Sequence, residues 1–168
     1  MIKSEEYQDD IEPKLFSFSQ IMEKIKRYCA YQERCKQDVR CKLKEWAVDR
    51  DKTEDVVNQL VSEGYVDEER FAVVFVRGKF NIKSWGTQKI TAELKRRNIS
   101  DFCIKQALNE IDKKLYSEKL TKLGHKWLNE HKQDSVLIQK QKIFRYLFSK
   151  GYEQQDIWGF INENMGKG

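Results

Sequence analysis

KITAELKRRNISDFCIKQALNEI, residues 89–111, and KIFRYLFSKGYEQQDIWGFINEN, residues 142–164, share one apolar skeleton. Ile90, Leu94, Ile99, Ile104 and Leu108 of the first fall on Ile143, Leu147, Tyr152, Ile157 and Ile161 of the second. Apolar residues four apart on either side of a break mark two amphipathic helices. The break holds Asn98 in one copy and Gly151 in the other. Both residue types tolerate the left-handed backbone that ends a helix. Each copy therefore reads as helix, tight turn, helix. An earlier copy follows the pattern: Val39 and Leu43 match Ile90 and Leu94, and Val56 and Leu60 match Ile104 and Leu108. Its turn is expected to carry three extra residues, within AVDRDKTED.

A further helical segment precedes each copy. The first is SQIMEKIKRYCAY, with Ile21, Ile25 and Tyr28 at helical spacing. The second lies in VDEERFAVVFVRGKF, residues 66–80. Asp67 is placed to cap it, and Glu68 and Glu69 stand in the first turn, where the helix dipole favours acids. Phe71, Val74, Phe75 and Gly78 share a face and are expected to be its core side; Arg70, Val73, Arg77 and Phe80 are expected on another face. The third runs from about Lys114 to Glu130 with Leu120, Leu123 and Trp127 inward. Asp51 and Glu54 form a candidate capping box, Gly64 a stop, Trp85-Gly86 a break, and Ser100 or Asp101 a cap. The expected fold is all-α: three tandem three-helix, helix-turn-helix-like repeats in an elongated, curved arrangement. The expected divisions are an acidic tail at 1–18 and repeats at 19–66, 67–112 and 113–168.

Composition agrees. Hydrophobic residues make up 39% of the 168 and charged residues 35%, with Pro13 the only proline. A folded helical protein with long solvated faces fits these values. No apolar run reaches the roughly 18 residues of a membrane span, and the first residues lack the apolar stretch of a signal peptide. A cytoplasmic location is expected. Cys29, Cys35 and Cys41 are too widely spaced for a zinc ribbon, and reduced thiols are expected without a metal or other cofactor. No nucleophile elbow, phosphate-binding loop or zinc-protease motif occurs. His125 and His131 lie among lysines with only Glu130 as an acid nearby, so neither is set up as a general base. An enzyme is not expected.

The cations carry more. Net charge is +5. Lys24, Lys26, Arg27, Arg34, Lys36, Arg40, Lys42 and Lys44 crowd the first unit; Arg77, Lys79, Lys83, Lys89 and Lys95-Arg96-Arg97 the second; Lys140, Lys142, Arg145 and Lys150 the third. Such a series can follow a phosphate backbone or an acidic protein surface, or be merely solvated. No helix combines Asn, Gln and Arg for reading base edges, which argues against a sequence-specific operator binder.

Asp67-Glu68-Glu69-Arg70-Phe71-Ala72, then Phe75-Val76-Arg77, Trp85-Gly86, Lys89-Ile90, Glu93-Leu94 and Asn98-Ile99 resemble the RecX family of bacterial regulatory proteins. The likeness covers roughly residues 20–163. Departures are Cys35 where the family usually has a serine cap, Ala47 where it has glycine, and Thr87 where proline often stands. Cysteine is a poor cap, so the helix after Cys35 is expected to fray. The resemblance implies a non-enzymatic modulator, tied to DNA-damage (SOS) control, that binds the RecA filament on single-stranded DNA and suppresses its ATPase and strand exchange. The alternative is direct binding of single- or double-stranded DNA as the main activity. A monomer is expected. The contact residues expected are Arg77, Lys79, Lys83, Lys89, Arg96 and Arg97, supported by Lys24, Arg27, Arg40 and Lys44. Arg70 has three readings: an ion pair with Asp67, a contact between repeats, or a partner contact.

Overall fold

Local sequence decides where each helix begins. The computed structural model describes residues 16–166, so the expected acidic tail lies outside the described residues except for its last three. Among the described residues there are nine helices and no strand: α1 Phe18–Tyr31, α2 Lys36–Glu45, α3 Arg50–Ser62, α4 Glu68–Lys83, α5 Thr87–Arg96, α6 Asp101–Leu108, α7 Lys113–Glu130, α8 Val136–Lys150 and α9 Gln154–Met165. Ser17, Asp49, Asp67, Ser100 and Asp112 each accept a first-turn backbone N–H and so cap α1, α3, α4, α6 and α7. The cap of α3 is Asp49, not Asp51 with Glu54, because the turn before it is shorter than expected. Cys35 also caps. Its sulfur accepts from Asp38 N–H at 3.4 Å while the Asp38 carboxylate accepts from Cys35 N–H at 3.3 Å. A reciprocal pair of this kind corrects the expectation of fraying.

The turn between the second and third helix of each triple is one motif used three times. Ala47, Asn98 and Gly151 take the left-handed backbone, with φ of 56°, 57° and 92°. The next residue's N–H returns to the carbonyl five positions back: Val48 to Leu43, Ile99 to Leu94 and Tyr152 to Leu147, at 3.1, 3.1 and 3.3 Å. A bond of that span closes a helix by satisfying carbonyls that its end leaves bare. The three turns have equal length, so the extra residues expected in the first are absent from it. They lengthen α3 instead. Ala47 bears the strain of a β-carbon in a left-handed conformation. Ala47→Gly is therefore expected to raise stability by about 0.5–1 kcal/mol, with the melting temperature as the readout. A fall would contradict the strain argument.

Each triple has its own core. Ile21, Ile25, Val39, Leu43, Val56 and Leu60 fill the first. Phe71, Ala72, Val76, Phe80, Ile90, Leu94 and Ile104 fill the second. Leu120, Trp127, Ile143, Leu147, Tyr152, Ile157 and Ile161 fill the third. The skeleton residues matched in the sequence are buried except Leu108, which is partly so. The face expected inward on α4 needs correction. Val74 is 49% exposed, Phe75 is half-buried, and Phe80, expected on the outward face, is 3% exposed. Ala72, Val76 and Phe80, four apart, are the inward stripe.

Substantial helix-to-helix packing stays within each triple. The second triple joins its neighbours through side chains and turns. Toward the first, buried Cys35 belongs to the second core. Arg70 bonds Glu33 at 2.6 Å and Gly64 O at 3.1 Å, and lies 3.9 Å from Asp67. Of the readings of Arg70, the ion pair with Asp67 and the contact between triples both occur, and the contact between triples is the shorter. Toward the third, Gly86 N–H donates to Lys150 O at 2.8 Å and Gln88 N–H to Gly151 O at 3.0 Å. The start of α5 thus meets the end of α8, bare donors against bare acceptors. Tyr152 Oη donates to Ser84 O at 3.2 Å, and Tyr116 lies between Phe80 and Tyr152. Burial pushes the Tyr116 and Tyr152 hydroxyls up from their ordinary values.

Candidate interaction surface

Along one side of the second triple, cations and aromatic rings alternate. Arg97 lies over Phe75 at 5.2 Å, Lys79 over Phe75 at 5.1 Å and over Trp85 at 5.0 Å, and Lys89 over Trp85 at 4.7 Å. Phe75 and Lys79 are one turn apart on α4, Trp85 sits in the α4–α5 connection, and Lys89 and Arg97 come from α5 and its end. The ladder is anchored at both ends. Arg97 bonds Glu93 at 3.0 Å and reaches Asp38 of the first triple at 3.8 Å. Lys89 Nζ donates to Ser149 O of the third triple at 3.1 Å. Each ring contact contributes about 0.5–1 kcal/mol where solvent is near, and positions the cation without neutralising it.

The first triple repeats the ladder with its partners exchanged. Ile21, Ile25 and Cys29 of α1 correspond to Ala72, Val76 and Phe80 of α4, each 51 residues on. On that register Lys24 and Trp46 stand where Phe75 and Arg97 stand, and Tyr28 and Arg34 where Lys79 and Trp85 stand. Lys24 lies over Trp46 at 5.9 Å and Arg34 over Tyr28 at 4.0 Å. Both pairs of positions are closed by one cation and one ring in each triple, and in both the cation has changed sides. Lys24 also lies 3.7 Å from the Phe16 ring centre.

The expected contact residues divide. Lys79, Lys89 and Arg97 stand on the second ladder and Lys24 on the first. Lys83, exposed, is one turn beyond Lys79. Arg77 points away from the ladder and bonds Glu110, in the turn after α6, at 2.6 Å. Arg96 pairs with Glu93 at 3.1 Å and Arg27 with Glu23. Arg40 donates to both oxygens of Glu54 at 2.8 and 2.9 Å, which holds the Glu54 carboxyl below its ordinary range. Lys44 is exposed beside Arg40, with no ion pair among the described residues. Sequence reasoning missed Phe75, Trp46, Tyr28 and Arg34. The signal for them was the 51-residue register between triples, which already joins Val39 and Leu43 to Ile90 and Leu94.

Other chemistry finds little support. Burial pushes the Cys29 and Cys35 thiols up to about 11, so both stay protonated at neutral pH. Among the described residues no three His, Cys, Asp or Glu side chains gather as metal ligands, and no helix is long and apolar enough to cross a membrane.

Comparison with known proteins follows the same division into triples. The family model for the second three-helix domain of RecX matches residues 67–108, and that for the third three-helix domain matches residues 114–161. The chain belongs to the RecX family. Regulatory protein RecX of Bacillus cytotoxicus is 28% identical over 130 residues, covering 77% of this chain and 48% of that relative. RecX of Bacillus thuringiensis is 27% identical over the same length. The chain spans about half the length of the curated RecX relatives it matches. The crystal structure of RecX from Lactobacillus salivarius superposes with a TM-score of 0.74 at 27% identity, over 87% of this chain and 95% of that one. A second RecX crystal structure, at 22% identity and a TM-score of 0.79, covers 88% of this chain and 72% of its own and shares the fold. Tandem three-helix units are thus the RecX architecture, and the relatives' name is that of regulators.

Proposed function

We propose that the chain binds the RecA filament on single-stranded DNA and restrains its ATP hydrolysis and strand exchange, without catalysing a reaction. It would act as a cytoplasmic monomer in the control of homologous recombination and DNA repair. The observation that carries this reading is the ladder, built at matching positions of two successive triples. A filament offers one surface at regular intervals, and a chain that repeats its own surface can meet more than one copy. Linked contacts reinforce one another when the spacing allows simultaneous engagement. We assign Lys24, Lys79 and Lys89 to that contact, Lys83 and Lys44 beside it, and three repeats divided near residues 66 and 112. Arg77, Arg96, Arg97, Arg27 and Arg40 would reach the partner only by leaving their carboxylates.

The exposed rims of Trp46 and Trp85 between cations favour one second reading. Rings flanked by cations also suit single-stranded nucleic acid, with bases stacking and phosphates paired. Pelleting of the chain with RecA assembled on single-stranded DNA, beside the same DNA alone, separates the two. Pelleting with the filament in excess of that with bare DNA is expected. Equal retention on bare DNA, falling steeply with salt, would favour the second reading and overturn the first.

A further inference from the structure

Helix α4 carries two apolar stripes, and the fold uses one. Ala72, Val76 and Phe80 face the core. Val74, Phe75, Gly78 and Ile82 form the other, with Phe71 at its buried end. Ile82 is 78% exposed and Val74 49%. The spacings Phe71 to Gly78 and Phe75 to Ile82 are a heptad each, the repeat by which one helix seats against another. At Gly78 a β-carbon would meet nothing within 4 Å, which leaves a notch along the stripe.

We propose that this stripe docks an amphipathic helix of a protein partner, about three turns long, with acidic residues along the margin of its apolar face that meets Lys79 and Lys83. Three features select this occupant. First, one margin of the stripe is cationic: Lys79 and Lys83 line it with no ion pair among the described residues, whereas Arg77 on the other margin is held by Glu110, and Glu33 at the buried end is held by Arg70. Residues at such flanking positions choose the partner by opposite charge. Second, the backbone N–H groups of α4 are bonded within the helix, so an added strand finds no donors. Third, a second copy pairing through the same stripe would set cations against cations, since such a pair is self-matched. Phosphates and bases gain nothing from exposed valine and isoleucine.

The proposal deepens the regulator reading by stating the chemistry of the partner segment. It rests on that reading only in taking the recombinase filament to display the segment. The test uses the full chain and two fluorescein-labelled helical peptides of three heptads. Both have leucine at the seam; one has glutamate at the flanking positions and the other lysine. Fluorescence anisotropy is expected to show binding of the glutamate peptide at least about tenfold tighter than of the lysine peptide. Val74→Glu/Ile82→Glu, at exposed positions, is expected to keep the wild-type melting temperature and lose that preference. Equal binding of both peptides, binding of neither, unchanged binding by the variant, or dimerisation through the stripe in sedimentation would each overturn the proposal. A second arm measures RecA ATP hydrolysis with the same variant. Selective peptide binding without any effect of the variant on RecA supports the docking surface and removes the recombinase as its partner, so the two readings fail separately.

Discussion

Gly86→Ala is expected to lower stability by about 2–6 kcal/mol and to loosen the third triple from the second. A β-carbon at Gly86 would overlap Gly151 O and C and would press on Tyr152 N at 2.5 Å. All three are backbone atoms that no rotamer change can move aside. Relief requires withdrawing the start of α5 from the end of α8. That sacrifices the bonds from Gly86 N–H to Lys150 O and from Gln88 N–H to Gly151 O. Overpacking in a tight contact costs about 1–3 kcal/mol, and each buried bond adds about 0.5–1.5 kcal/mol. Denaturant unfolding followed by tryptophan fluorescence reads the effect, since Trp127 lies in the third core and Trp85 beside the joint. Separation into two transitions would accompany the loss, because repeats that stop touching stop unfolding together. Gly78→Ala is the control. Its β-carbon meets nothing, and alanine favours a helix interior, so stability should rise by about 0.5–1 kcal/mol. Unchanged stability and a single transition for Gly86→Ala would contradict the joint as described.

Phe80→Ala should cost about 3–5 kcal/mol, whereas Val74→Ala should cost less than about 0.5 kcal/mol. Phe80 is buried in the second core and stacks on Tyr116, which also touches Tyr152. Its removal leaves a cavity that both the second and third cores border. Val74 points outward on the other stripe, and its truncation opens no cavity. Chemical denaturation of the two variants decides which stripe of α4 is structural. Equal losses would contradict the burial assigned here.

That pair of residues also shows what the sequence could not resolve. Both stripes of α4 have helical spacing, and periodicity alone does not say which one meets the rest of the chain. The two phenylalanines Phe71 and Phe75 pull the reading toward the outward stripe, whereas the inward one includes small Ala72. The repeat was legible because Ile90 to Leu108 and Ile143 to Ile161 obey one pattern across a turn residue suited to the left-handed region. The first turn was misread because Val56 and Leu60 also fit as partners of Ile104 and Leu108. Thr53, buried in α3, takes the place of Ile104 and gives no apolar signal. Cys35 was legible as the residue before a helix but not as a working cap, since its partner Asp38 bonds back to it. The ladder joins α4, a connection and α5, so its contacts are invisible to any local pattern. The lysines and arginines were legible as a group; which of them carboxylates restrain depended on helices far apart in the chain.

The central claim is that the ladder face restrains the filament, and the direct measurement is single-stranded-DNA-dependent ATP hydrolysis by RecA from the same organism, titrated with the chain. Lys24→Ala/Lys79→Ala removes one cation without an ion pair among the described residues from each ladder and should leave the melting temperature nearly unchanged. Wild type is expected to inhibit at or below one chain per RecA subunit. The variant is expected to need at least about tenfold more protein, equivalent to about 1.4 kcal/mol of binding. Hydrolysis unaffected by folded wild type, or inhibited equally by the variant, would contradict the account.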